Sequence, residues 1–145
     1  MNLNRSNYFN LLINLSSKIS RKVVFSRFSL NLRQLKRLIA AYKHVRVLRL
    51  PDCILSVPSA PDFSKALTNC QIQELDLSYS GESYSSDWEN NLDEFKNLVE
   101  GLASSPDLRL SIRRVSILGC LITQNEAEQI FAVNELEQVK IMDGN

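Results

Sequence analysis

Val45-Arg46-Val47-Leu48-Arg49-Leu50-Pro51-Asp52-Cys53 reads L-x-x-L-x-L-x-x-C, with Val45, Leu48 and Leu50 as apolar positions and Cys53 closing the unit. Alone it is one short strand. Its recurrence decides the architecture. Ile72-Gln73-Glu74-Leu75-Asp76-Leu77-Ser78-Tyr79-Ser80 is a second copy, and Ile112-Arg113-Arg114-Val115-Ser116-Ile117-Leu118-Gly119-Cys120 a third. Leu136-Glu137-Gln138-Val139-Lys140-Ile141-Met142-Asp143-Gly144 is a fourth. Upstream, Val23-Val24-Phe25 is a degenerate copy, with Val23 matching Leu48 and Phe25 matching Leu50.

Helical stripes lie between these strands. Leu32, Leu35, Leu38, Ile39 and Tyr42 share one face of a helix over 30–42, which Asn31 and Gln34 open as a capping box. Its other face is basic through Arg33, Lys36, Arg37 and Lys43. Pro51 and Pro58-Ser59-Ala60-Pro61 predict an extended loop, after which Asp62 caps a short helix turning Phe63, Ala66 and Leu67 inward. Leu92, Phe95, Leu98, Val99 and Leu102 define another helix, ending near Gly101 to Pro106. Thr123-Gln124-Asn125-Glu126 reads as a second capping box, before a helix with Ala127, Ile130 and Phe131 inward.

Taking Val23, Leu48, Leu75, Val115 and Val139 as equivalent, the intervals are 25, 27, 40 and 24 residues. One strand–helix unit cannot bury its apolar residues alone. Stacked units make a parallel sheet on one side and a row of helices on the other, with one continuous core between. The chain therefore reads as a single domain over 1–145, with strands near 23–25, 45–50, 72–77, 112–117 and 138–142. The long interval holds an insertion at 78–91, polar and acidic but carrying Tyr79, Tyr84 and Trp88. Aromatic residues in a polar loop mark a candidate contact surface. Residues 1–20 place Tyr8, Leu12, Leu15 and Ile19 on one helical face, as expected of a helix capping the open end of the core. The same residues are acid-free and rich in Ser, Asn and Arg, which is also the composition of an organelle transit peptide.

In its repeat length and pattern the chain resembles leucine-rich repeat proteins, and is most similar to the ribonuclease-inhibitor-like subtype, whose repeats carry a true helix. The resemblance covers about residues 20–144. It implies an α/β solenoid, a right-handed β-α superhelix with parallel strands on the concave face and helices on the convex face. It also implies a non-enzymatic role as scaffold or adaptor, holding a protein on the concave strands. Carried over position by position, the outward residues are Val24, Arg49, Asp76, Ser116 and Lys140. They are flanked on one side by Lys22, Val47, Glu74, Arg114 and Gln138, and on the other by Ser26, Pro51, Ser78, Leu118 and Met142. Arg49 then stands beside Asp76, Glu74 beside Arg114, and Leu118 beside Met142. The partner-binding set expected from this is Val47, Arg49, Glu74, Asp76, Arg114, Ser116, Leu118, Lys140 and Met142, with Tyr84 and Trp88 from the loop. The family's closing Asn/Cys position is filled by Cys53 and Cys120, but by Ser80 and Gly144 elsewhere, and Gly144 supplies no side-chain hydrogen bond.

The net charge of +1 hides an asymmetry. Residues 1–51 carry 11 Lys and Arg and no acid; the rest carry the other 6 bases and all 16 acids, so the two parts are +11 and −10. This predicts an end-to-end charge dipole that steers an acidic partner or lets copies meet head to tail through an uncovered last strand. Nucleic-acid binding through the basic N-terminal part is a weaker alternative, because no aromatic residues are interleaved with the cations for stacking. A structural subunit of a larger assembly is another.

Catalysis is the poorest reading. His44 is the only histidine and has no Ser, Cys or Asp partner in the pattern, and four glycines leave no phosphate-cradling loop. No C-x-x-C pair points to a metal, so no cofactor is expected. No apolar run reaches the roughly 18 residues a membrane span needs. Three cysteines, two of them at matching repeat positions, predict buried thiols in a reducing compartment, an intracellular and cytoplasmic setting.

Overall fold

In a computed structural model, which describes residues 21–79, 92–117 and 122–142, five of the recurring stretches pair as parallel strands in chain order. They are β1 (Lys22–Val24), β3 (Val47–Arg49), β5 (Glu74–Asp76), β6 (Arg114–Ser116) and β7 (Lys140–Met142). The register sets Val23 beside Leu48, Leu48 beside Leu75, Leu75 beside Val115 and Val115 beside Ile141. Each strand core is three residues, shorter than the apolar stretches predict. The ladder nevertheless runs on past it: Leu50 N–H donates to Asp76 O at 2.7 Å and Asp52 N–H to Ser78 O at 2.8 Å.

The helices between strands follow their stripes. The first, α1 (Leu32–Ala41), has the full capping box: Gln34 N–H donates to Asn31 Oδ1 at 2.9 Å and Asn31 N–H to Gln34 Oε1 at 3.0 Å. Leu35, Leu38, Ile39 and Tyr42 are buried, and Phe25 meets Tyr42 edge to face at 5.3 Å. Helix α2 is Ala60–Ala66, α3 is Leu92–Ser104 and α4 is Gln124–Val133, with a short 3-10 turn at Leu108–Leu110. All the inward strand residues from Leu48 to Ile141 are buried in one core with Phe63, Phe95, Leu98 and Phe131. At about 25 cal/mol per Å² this apolar burial is the main force holding the repeats together.

Neighbouring repeats are also tied by hydrogen bonds on the helix side. Ser56 Oγ donates to Glu94 Oε1 at 2.6 Å, Asn97 Nδ2 to Val57 O at 3.1 Å, and Ser111 Oγ to Ile72 O at 2.8 Å. Asn69, held at φ 61°, gives its N–H to Asp107 Oδ2 at 2.7 Å. The Cys53 thiol donates back to Phe25 O, one repeat earlier, at 3.3 Å. Burial pushes its pKa up to about 11, against smaller lowering by the Phe28 and Arg27 amides. Cys70 is buried and shifted upward for the same reason. Both thiols are therefore structural rather than reactive.

Three expectations need correction. The last strand is set two residues later than the apolar pattern implies: Ile141, not Val139, joins the Leu48 row. Lys140 N–H donates to Arg113 O and Ile117 N–H to Met142 O, each at 2.8 Å, which locks that register. Val139 is buried in the entry turn instead, its N–H bonded to Leu136 O. The intervals become 25, 27, 40 and 26.

Second, the stretch after β3 is not all loop. Ser29–Leu30 (β2) and Ile54–Leu55 (β4) form a second, two-stranded parallel sheet. Arg27 and Asp52, also 25 apart, both take positive φ (62° and 57°), so the same left-handed turn lifts the chain into this second ladder twice.

Third, α2 is capped by Ser59, whose Oγ accepts the Asp62 N–H at 3.4 Å, and not by Asp62. Pro61 sits in the first turn, where its missing N–H costs no helix bond. At α4 only half the expected box forms. Thr123 Oγ1 accepts the Glu126 N–H at 3.2 Å, while the Glu126 carboxylate accepts from the Thr123 hydroxyl at 3.2 Å, not from its backbone N–H, and pairs with Lys96 at 3.7 Å. Residues 1–20 and 80–91, with Tyr84 and Trp88, lie outside the described residues, as do Leu118, Cys120 and Gly144.

Candidate functional site

Alternation along short strands gives the sheet one buried and one open face. The inward row of Leu48, Leu75, Val115 and Ile141 is buried against the helices. The residues on either side of it are half-buried or exposed across all five strands. One open row is Lys22, Val47, Glu74, Arg114 and Lys140; the other is Val24, Arg49, Asp76, Ser116 and Met142. Val47, Arg49, Glu74, Asp76, Arg114, Ser116, Lys140 and Met142 thus share this face. The corrected register sets Lys140 beside Arg114 and Met142 beside Ser116, while Leu118, expected beside Met142, lies outside the described residues.

Arg49 stands opposite Asp76, and Glu74 opposite Arg114, as the repeat spacing predicts. Neither pair closes to an ion pair; among the described residues the ion pair that forms is Lys96–Glu126, on the helix side. The Asp76 carboxylate is turned to its own backbone, accepting the Ser78 N–H at 2.8 Å. Arg49, Arg114 and Lys140 therefore present exposed positive charge rather than charge already spent on neighbours.

The rim adds cations that strand alternation does not pick out. Arg21, Arg46 and Arg113 are exposed at the N-terminal ends of β1, β3 and β6. All three sit in the second place of L-x-x-L, so aligning the copies by that place reveals them. Among the described residues, the two open rows and this N-terminal rim, with Lys22, Arg49, Arg114 and Lys140, hold seven cations against the acids Glu74 and Asp76. Along the described part of this face both ends are basic and the middle strand is acidic, a pattern that the end-to-end dipole expected of the whole chain does not describe. Of the acids of the C-terminal part, Asp62, Asp93, Glu94, Glu100, Glu126 and Glu128 lie on helices.

Two open grooves lie on the helix side. One of about 660 Å³ runs between α3 and α4, lined by Lys96, Glu100, Glu126, Ile130 and Val133 among others. The other, of about 350 Å³, lies between α1 and α2 beside Lys36, Lys43, Asp62 and Lys65. A void of about 10 Å³ lies in the core, lined wholly by apolar side chains, at most the size of a single water and with no polar partner for it among the lining residues. Among the described residues no group of three or more His, Cys, Asp or Glu is placed to hold a metal ion, and no helix is long and apolar enough to cross a membrane. His44 is exposed at the turn before β3.

Comparison with models of known protein families, with curated proteins and with solved structures found no match to this chain.

Proposed function

We propose that this chain is a leucine-rich repeat solenoid of the ribonuclease-inhibitor-like kind, and that it works without catalysis by holding a protein partner on the open face of its sheet. In this reading the open face is the concave wall and the helices form the convex side. The crossovers are right-handed, as nearly all parallel β-α-β connections are. The observation that carries the reading is the in-register parallel stacking of five short strands in chain order, with one side buried and the other half-buried or exposed among the described residues. A sheet buried on both faces is the norm for parallel strands in α/β folds. Leaving one face of the sheet accessible is what a recognition wall requires. Nucleic-acid binding is the less favoured reading, since Glu74 and Asp76 stand in the middle of the basic face and would repel phosphates.

Partners cross-linked to the wild-type chain should be lost together on Arg49→Glu and Arg114→Glu, and retained on Arg33→Glu, which alters the exposed side of α1. Loss on Arg33→Glu with retention on both sheet variants would reject the open face as the binding surface.

A further inference from the structure

The charge on the open face is arranged in blocks, and the blocks define a partner chemistry. Arg21, Arg46 and Arg49 lie at β1 and β3; Arg113, Arg114 and Lys140 lie at β6 and β7. Between them, on β5, are Glu74 and Asp76. With strands about 4.8 Å apart, the two basic blocks are centred roughly 14 Å from each other, with β5 midway.

An extended peptide rises about 3.3 Å per residue and sends alternate side chains to the same face. Roughly 14 Å is then about four residues. A segment with a carboxylate at one position, a Lys or Arg two residues on, and a carboxylate two further on places all three charges opposite their complements. Resting on the reading of the open face as a protein-binding wall, we propose that it takes an acidic segment of this kind, laid across the strands, with carboxylates at both ends and one cation at the centre. A uniformly negative ligand gains the two basic blocks but meets Glu74 and Asp76 unpaired, and like charges so placed are a device for rejecting wrong partners.

The test is a set of NMR titrations of the labelled full chain at low salt. Three probes are used: a peptide Glu-Glu-Ser-Lys-Ser-Glu-Glu, a permuted peptide of identical composition with the Lys at one end, and a single-stranded oligonucleotide of equal net charge. The patterned peptide should bind at least about tenfold more tightly than the permuted one, with shifts on β3, β5 and β6. Arg114→Glu should cost it about tenfold or more, and Glu74→Lys with Asp76→Lys should remove the preference over the permuted peptide. Equal binding of the two peptides overturns the proposal, as does tightest binding by the oligonucleotide or the absence of shifts on the sheet with any probe. If the peptides fail to discriminate while Arg49→Glu and Arg114→Glu still abolish cross-linking of natural partners, the charge pattern falls and the open-face reading stands. If both fail, both fall.

Discussion

Replacing Gly101 by Ala sets two known effects against each other. Gly101 lies inside α3, and Ala is the better helix former by about 1 kcal/mol. Gly101 is also buried, where a Cβ would meet Phe63 Cδ2 at 2.7 Å, the Ala60 carbonyl oxygen at 3.0 Å and Phe63 Cβ at 3.2 Å. All three contacts belong to α2. The Phe63 ring, 2 % exposed, has no open space to swing into, and the Ala60 oxygen is backbone. Restoring ordinary carbon contacts of about 3.5 Å requires α2 and α3 to part by roughly 0.8 Å. Overpacking of this kind costs about 1–3 kcal/mol. Packing therefore outweighs propensity, and Gly101→Ala should lose about 1 kcal/mol, lowering Tm by about 3 °C. Chemical and thermal unfolding followed by circular dichroism measures it. In a Phe63→Ala background the ring contact is gone, so the same substitution should become near neutral or stabilising, a coupling of about 1 kcal/mol or more. A wild-type background in which Gly101→Ala raises Tm would refute the close approach of the two helices.

The remaining predictions concern caps, turns and thiols. Asn31→Ala removes the side-chain arm of the α1 capping box, the Oδ1 that accepts the Gln34 N–H, and should cost about 1 kcal/mol in urea unfolding. Glu135, exposed at φ 61° just past α4, should tolerate Gly with a gain of about 0.5–1 kcal/mol, seen as a higher midpoint at unchanged m-value. Cys53 keeps its proton to about pH 11 when folded, above the ordinary 9.0 of the unfolded thiol. Its contribution to stability is therefore full below pH 9 and is lost as pH rises towards 11, because the unfolded chain releases that proton first. Urea titrations from pH 8 to 10.5 should show a shallower loss for Cys53→Ala than for wild type. In a Cys120→Ser background, alkylation of Cys53 and Cys70 at pH 8 should track global unfolding, and fast labelling of the native chain would contradict their burial.

Much of this architecture is written plainly in the chain. Leu48, Leu75 and Val115 could be aligned because each is flanked by a second apolar residue three before and two after, and only one register satisfies both. The last repeat meets the same test at Val139, with Leu136 three before and Ile141 two after, yet Ile141 takes the place in the row, although Gln138 stands three before it and Asp143 two after. Backbone hydrogen bonds from Lys140 and to Met142 make the choice, and such bonds carry no side-chain signature. The second sheet escaped for a similar reason. Its strands are two residues long and depend on left-handed turns at Arg27 and Asp52, and arginine is not a residue type that advertises positive φ. The cap at Ser59 was obscured by Asp62, an equally good cap by type; Pro61 in the first turn is the signal that separates them.

The candidate face was legible as two outward rows. Its charge pattern was not, because counting charge along the chain mixes strands with helices. Before Asp52, Arg21, Lys22, Arg46 and Arg49 lie on the sheet face or its rim and Arg33, Lys36 and Arg37 on the outer side of α1, while Arg113, Arg114 and Lys140 bring positive charge back to the far end of the sheet. Which face a charge occupies depends on register, and register is a tertiary property.

The most direct test of the whole arrangement is a set of interstrand NOEs in the labelled protein. Parallel contacts linking Val23 to Leu48, Leu48 to Leu75, Leu75 to Val115 and Val115 to Ile141 are predicted, with no helix residue contacting Arg49, Ser116 or Met142. Antiparallel contacts, Val139 in place of Ile141 beside Val115, or a helix lying over Arg49 and Ser116 would contradict it.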